Sequence, residues 1–265
     1  MKTLKFKTFF IALLSVVTFS SCLGESETTD YPNYSSFVTI SGDAFFRYTF
    51  HSDFGCTLQP TQESINQVLP GLKNSSAKRA LISFDLIPES ENGKELKAGE
   101  TYTIALKAAY GSNIALPTYS TIDTYGNQTA ADSLTAKNGS INNIKSQIWA
   151  INGYANAEMT IVYDYNKPFY MNTYYDYNKD IDIEGKTLYL NIYYNKNSTN
   201  ATQPGSSVFS FSLPQSAANQ FLMNGFAKED SINLVMKAIT DYDLQLKEVG
   251  KCKMAIKDFY QPTSF

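Results

Sequence analysis

The thiol of Cys22 stands where a covalent modification would need it. Ahead of it come a basic start (Lys2, Lys5, Lys7), an apolar run from Phe9 to Phe19 and the small pair Ser20-Ser21. That order matches a secretion signal closed by a lipobox. Small side chains just before the cut suit a signal peptidase, and the cysteine sulfur takes a diacylglyceryl group. Leucine is usual three residues before such a cysteine, and Phe19 holds that place here. The apolar run has the length of a signal h-region and is too short to span a bilayer as a helix. The expectation is removal of residues 1–21 and a mature chain that begins at a lipidated Cys22.

A second pattern is Asp176-Tyr177-Asn178-Lys179-Asp180-Ile181-Asp182. Oxygen-bearing side chains at Asp176, Asn178, Asp180 and Asp182 resemble the start of a calcium loop, because Ca²⁺ takes about six to eight oxygens from a tightly turned chain. Ile181 sits where that turn needs glycine, and Thr187 where it needs a bidentate glutamate. A solvated turn between strands is therefore the stronger expectation, and no bound metal is expected. Tyrosines crowd around it: Tyr163, Tyr165, Tyr170, Tyr174, Tyr175, Tyr177, Tyr189, Tyr193 and Tyr194. Ring faces with hydroxyl tips stack on sugars and on protein surfaces, although tyrosine also suits a half-wet sheet face. Tyr170, Tyr174, Tyr175 and Tyr177 form the candidate binding surface. Adjacent Tyr174 and Tyr175 must point to opposite sides of any strand, so at least one ring should be exposed.

Other chemistry lacks its parts. His51 is the only histidine, which leaves no metal-ligand spacing. It ends a strand beside Ser52-Asp53, where sequence neighbours point apart and cannot build a triad. There is no Gly-x-Ser-x-Gly elbow and no glycine-rich phosphate loop. A carboxylate pair for glycoside hydrolysis would leave no local mark. No catalytic residue and no cofactor are expected. Loss of Lys2, Lys5 and Lys7 leaves 19 basic against 25 acidic side chains, a mature net charge near −6. With no Lys/Arg cluster, nucleic acid is not an expected partner. Cys56 and Cys252 either stay free or pair across the two ends of the chain.

The elements that must carry these residues are strands. The abundance of Tyr (19) and Phe (17) is β composition, and alternation of period two recurs. Residues 22–34 form a polar tether that buries too little to order itself. Over 35–110, apolar faces recur around Val38 and Ile40, then at Phe46-Tyr48-Phe50, Thr57-Leu58, Ala80-Ile82-Phe84-Leu86 and Tyr102-Ile104-Leu106-Ala108. A short helical piece lies near Gln62–Leu69. Five strands in that length predict a small closed barrel of the OB type. The pattern lapses over 111–143, read as a linker or long loop and as the domain boundary. Over 144–265 it resumes around Ile148–Asn152, Ala157–Tyr163, Leu188–Tyr194, Phe209–Leu213, Ile232–Ala238 and Cys252–Ile256, with a further piece at Tyr242–Leu246. Six or seven strands predict an immunoglobulin-like β-sandwich. The fold class is all-β.

These residues in this order resemble the NigD-like lipoprotein family. The resemblance is carried by the lipidated cysteine, Phe45–Phe50, Ser52-Asp53-Phe54-Gly55, Thr57-Leu58-Gln59-Pro60 and Lys78–Phe84. In the second half it is carried by Ile148-Trp149, Asn152-Gly153-Tyr154, Met159-Thr160-Ile161, Leu188–Tyr194, Val208–Leu213 and Ile232–Ala238. It implies an N-terminal OB-like domain, a C-terminal sandwich, no catalytic residues and an immunity or accessory role beside a bacteriocin. Asn195-Lys196-Asn197 departs from the family's basic-His strand end. The acidic residues after Cys22 resemble the surface-export signal of Bacteroidota lipoproteins. Asp132-Ser133-Leu134 and Asp230-Ser231-Ile232 resemble O-glycosylation motifs of exported proteins of that phylum, which makes Ser133 and Ser231 candidate modification sites.

The functional expectation is a non-enzymatic, lipid-anchored cell-envelope protein of the outer membrane, displayed at the surface and binding an envelope protein or a glycan. The alternatives are a NigD-like immunity or accessory protein and a surface glycan-binding lipoprotein.

Overall fold

Alternating side chains close the first half of the chain into a ring of five strands. They are β1 (Tyr34–Gly42), β2 (Tyr48–Ser52), β3 (Thr57–Pro60), β4 (Arg79–Leu86) and β5 (Thr101–Leu106). The order β1-β2-β3-β5-β4 is closed by a β1–β4 pairing. Only β3 and β5 run parallel; the other pairs are antiparallel. The inward residues Val38, Phe50, Leu58, Ile82, Phe84 and Ile104 are fully buried. A helix, Gln62–Val68, connects β3 to β4. Thr61 starts it by accepting the Ser64 N–H at 3.3 Å, the usual service of a threonine N-cap. Order and closure are those of an OB-type barrel, which leaves few sheet edges bare.

The computed structural model describes residues 32–42, 48–68, 77–107, 114–127, 129, 133–134, 141, 143–240 and 245–262. Cys22 and the signal segment lie outside them, as does most of the strand expected at Tyr242–Leu246.

Three short strands come from the 111–143 stretch. β6 (Ile114–Ala115) adds to the barrel on β4, β7 (Thr118–Tyr119) pairs with β14 (Gln203–Ser212), and β8 (Thr121–Asp123) pairs with β11 (Tyr170–Tyr175). None is long enough to show alternation, so partners rather than pattern set them. The chain thus passes from the barrel to one sheet of the sandwich and then to the other. Thr121 fastens that crossing, bonding the Thr173 hydroxyl at 2.5 Å and donating to the Ser212 carbonyl.

The sandwich packs the sheet β7-β14-β10-β9 on the sheet β16-β15-β13-β11-β8. Here β9 is Asn143–Ile151, β10 Tyr154–Tyr163, β13 Thr187–Asn195, β15 Ser231–Ile239 and β16 Leu246–Ala255, with β12 (Ile181–Asp182) attached to β13. Inward faces such as Leu188-Leu190-Ile192 and Ile232-Leu234-Met236 are at most 1 % exposed. The pairs β13–β15, β11–β8 and β14–β7 are parallel, a departure from the all-antiparallel immunoglobulin plan. The β9–β10 turn is Asn152-Gly153, with φ of 55° and 84°, the pairing that a two-residue type I′ hairpin demands. A Cβ at 153 would lie 2.6 Å from Gln261 Cγ. Barrel and sandwich belong to one compact unit, Pro32–Phe265.

Candidate binding site

A buried polar network joins barrel to sandwich. Arg79, fully buried at the start of β4, grips both oxygens of Asp53 at 2.6 and 2.7 Å. It also donates to Thr39 Oγ1 at 3.0 Å and, across the junction, to Asn156 Oδ1 at 3.0 Å. Trp149 Nε1 donates to Asp53 Oδ2 at 2.6 Å, and the Ser210 hydroxyl donates to Asn156 Oδ1 at 2.7 Å. The guanidinium also sits over the Tyr154 ring, 5.6 Å from its centroid. Asn152 reaches back to the His51 carbonyl at 3.3 Å. Asp53, Arg79, Trp149, Asn152 and Tyr154 all belong to the segments that carry the NigD-like resemblance. These five residues meet at the junction. Its polar groups are mutually satisfied, with Arg79 fully buried and Asp53, Trp149 and Asn152 partly buried.

The group open to solvent is aromatic. It surrounds the connection from β10 to β11, where Tyr163, Tyr165 and Phe169 gather with Tyr119 of β7. The connection is held at several points. Asp164 Oδ1 accepts the Asn166 N–H at 2.9 Å, the Ser198 hydroxyl donates to Asp164 Oδ2 at 2.7 Å, and Asn197 Nδ2 donates to the Pro168 carbonyl at 3.2 Å. The Asn166 N–H and the Ser198 hydroxyl hold the Asp164 carboxyl below its ordinary value, so it is ionised at neutral pH. The rings are seated from below. Tyr119 packs on Phe209 and Phe211, Phe169 on Tyr194, and Tyr163 on Phe169, with centroids 5.8–6.2 Å apart. Tyr163 lies over Gly205 of β14, where a Cβ would come within 2.7 Å of its ring. Tyr165 meets Tyr163 edge-on, centroids 5.0 Å apart and planes at 76°, and is 74 % exposed. A hydrogen bond to Tyr165 raises the Tyr163 phenol above its ordinary value. Together with Lys167 and Pro168 these residues line an open cleft of about 400 Å³. A second cleft of about 300 Å³ lies on the barrel beside Thr61, Ser64 and Ile87 and has no aromatic lining.

The surface expected over Tyr170, Tyr174, Tyr175 and Tyr177 needs correction. Tyr170 is 53 % exposed, but Tyr174 and Tyr175 are buried at 7 % and 1 %. Tyr175 points inward into the core that holds Leu188, Leu190 and Ile192. Its hydroxyl bonds Ser216 at 2.5 Å and Asp123 at 3.3 Å, and burial, with Asp123 adding to it, pushes the phenol up to about 12. Tyr177 is half-buried, its ring tilted against Tyr125 with centroids 5.7 Å apart, and is bonded by Gln220. The physical reason is that these residues form a strand, β11, set between β13 and β8, whose inward face carries Tyr175 into the sandwich core.

Three of the four oxygen-bearing side chains of 176–182 turn onto their own chain. Asp176 Oδ1 accepts the Asn178 N–H, Asp180 Oδ2 accepts the Asp176 N–H, and Asp182 Oδ1 accepts the Gly185 N–H, each within 2.9 Å. Asp176 also pairs with Lys179 at 2.9 Å. Burial raises the Asp180 carboxyl. Among the described residues no three His, Cys, Asp or Glu side chains gather for a metal. Ser133 is exposed, and Ser231 is exposed at the first residue of β15. His51 bonds the Ser41 hydroxyl at 2.9 Å through Nε2 and is lowered by burial, while Ser52 and Asp53 are engaged with Ser36 and Arg79. Cys56 and Cys252 are free thiols; burial pushes Cys252 up to about 11. Phe169, Tyr119 and Gly205 went unread as site residues. The signal that could have found them is the turn-rich Asp164–Pro168 set between aromatic residues.

No protein-family profile matches the chain, and no curated protein matches it. Solved structures do. A protein provisionally named as toxin-related, from Parabacteroides distasonis, is similar at a TM-score of 0.56 and 17% identity, over 85% of this chain and 94% of its own. A protein of unknown function (DUF1344) from Bacteroides vulgatus is similar at 0.55 and 15% identity, over 83% and 89%. A protein provisionally named a lipoprotein, from Bacteroides fragilis, is similar at 0.52 and 12% identity, over 84% and 97%. At such identities what is shared is the fold: an OB-like barrel followed by a β-sandwich.

Proposed function

We propose that this is a non-enzymatic, lipid-anchored protein of the cell envelope whose sandwich half binds a partner through the aromatic cleft between β10 and β11. The observation that carries the binding part is Tyr165, a large ring left in water on a turn fixed by its own hydrogen bonds. A preorganised, exposed anchor of this kind loses little side-chain freedom on binding, and tyrosine is enriched at such positions. The anchor rests on the run from Lys2 to Cys22. Several acyl chains are needed for stable attachment, since one chain binds a bilayer only marginally. Cys22→Ala is expected to move the protein from the membrane fraction to the soluble one; retention in the membrane would remove the lipobox from the argument. Recovery of envelope material on immobilised wild-type protein, lost with Tyr165→Ala, tests the cleft.

A second reading is an immunity or accessory protein of the NigD-like kind. It is supported by the segments quoted for that resemblance and by the barrel-plus-sandwich plan. Protection of a sensitive strain from a bacteriocin by expression of this chain alone would favour it.

A further inference from the structure

We infer that the cleft at the β10–β11 turn is a site for a neutral pyranose polysaccharide. The inference rests on the binding role proposed above and names the class of ligand. Size is the first argument. A stable protein interface draws on roughly 20–30 residues a side, whereas this cleft is built by one turn and Tyr119. Of the other large exposed side chains among the described residues, Tyr170 adjoins the cleft beside Phe169, while Phe54, Ile114, Met223 and Leu246 are far from it in sequence and belong to other elements. About 400 Å³ falls at the low end of small-ligand sites, roughly 300–1,000 Å³.

Shape and chemistry select within that class. Tyr163 and Tyr165 stand at 76° with centroids 5.0 Å apart, so one ring makes a floor and the other a wall. An aromatic face is electron-rich and suits the axial C–H groups of a pyranose, while the hydroxyls around the sugar's edge need donors and acceptors in its plane. Asp164, Asn166 and Lys167 line the same cleft and supply both. One carboxylate and one ammonium together leave the lining without net charge, so neither an acidic nor a basic ligand is favoured. Preorganisation is the last argument. An edge of Tyr163 fills the space over Gly205 that a Cβ would take, and Ser198 and Asn197 hold the turn from the neighbouring segment.

The test is electrophoresis of the detergent-solubilised full chain through gels containing a β-glucan, a xylan or an α-mannan, beside gels without polysaccharide. Retardation is expected in at least one of them, reduced tenfold or more in apparent affinity by Tyr165→Ala. Gly205→Val, which displaces the Tyr163 floor, should cause a similar loss with the circular dichroism spectrum unchanged. Retardation that Tyr165→Ala and Gly205→Val leave intact would overturn the assignment. So would migration unaffected by all three polysaccharides. In that last case, capture of envelope material that still depends on Tyr165 would leave the binding role standing and remove the saccharide alone. No capture either would remove both.

Discussion

The junction around Arg79 and the turn around Tyr165 invert the usual distribution of side chains. A full charge is 0 % exposed at one, and a phenol ring is 74 % exposed at the other. Each is tolerable for a different reason. Burying a guanidinium costs several kcal/mol unless its donors are met, and here Asp53, Thr39, Asn156 and Ser210 meet them. Leaving a ring in water forgoes roughly 1.5–3 kcal/mol of burial, and nothing in the fold repays that loss. The junction is explained by the structure itself; at the turn, the proposed binding is what would repay the exposure. The resemblance to the NigD-like family falls on the first and not on the second. Part of that resemblance thus lies where the two β units join, and the proposed contact with a partner lies outside it.

The junction should be the most sensitive place in the molecule. Arg79→Met leaves Asp53, Asn156 and Ser210 buried beside an apolar side chain, and the expected cost is about 3–5 kcal/mol, read from urea unfolding. Adding Asp53→Leu should return much of it, because an apolar pair replaces a lone carboxylate. If the double change costs as much as the single one, the pairing is not what holds Arg79 inside. Tyr175→Ala comes next. It removes a 1 % exposed ring from the sandwich core, and the expected loss is about 3 kcal/mol. Tyr175→Phe, which keeps the ring and drops only the bonds to Ser216 and Asp123, should lose about 1 kcal/mol. A near-neutral Tyr175→Ala would return that residue to the surface where sequence reasoning had it.

The barrel was legible in sequence almost strand by strand, because most of its strands alternate and face a single core, β3 showing only as Thr57-Leu58. The helix at Gln62–Val68 was legible too. What escaped has one physical origin. β6, β7 and β8 are two or three residues long, too short for a period, and exist only because β4, β14 and β11 offer them a partner. β11 carries no apolar alternation in sequence, so the opposite facing of Tyr174 and Tyr175 read as surface, whereas both are buried. The cleft escaped for a related reason: Tyr119 reaches it from β7, over 40 residues before Tyr163. The junction was half visible. Asp53, Arg79 and Trp149 stood out as motif residues, but nothing local says that a carboxylate, a guanidinium and an indole from three segments meet.

Asp85 extends the contrast to pH. Burial alone would raise its carboxyl, yet hydrogen bonds from Asn33 and the nearby Lys107 ammonium hold it below its ordinary value, with Asn33 N at 2.7 Å and Lys107 Nζ at 3.3 Å. A carboxyl lowered in the folded state binds its proton more readily when unfolded. Its contribution is therefore fully present above the unfolded value, about 4, and is lost as pH falls through the folded one. Asp85→Asn should lower stability at neutral pH and flatten the fall in stability below about pH 4. An unchanged acid slope would mean that the Asn33 and Lys107 contacts are made equally by the neutral acid.

The smallest effect on stability, and the most informative about the contrast, belongs to Tyr165→Ala. The ring is 74 % exposed, and what it touches is chiefly the edge of Tyr163. The turn beneath it is held by Asp164, Ser198, Asn197 and Asn166, none of which depends on that ring. Exposed substitutions away from caps, cores and buried networks usually stay within about 0.5 kcal/mol, and that is the shift expected in urea unfolding. The same change removes the wall of the cleft and should abolish partner recovery. Stability and binding are thus expected to separate at Tyr165 and to fall together at Arg79, since a partner cannot dock on an unfolded sandwich. A loss of about 2 kcal/mol or more in stability from Tyr165→Ala would mean that the ring braces the turn. Its exposure would then have a structural reason, and the inference that something binds there would lose its main support.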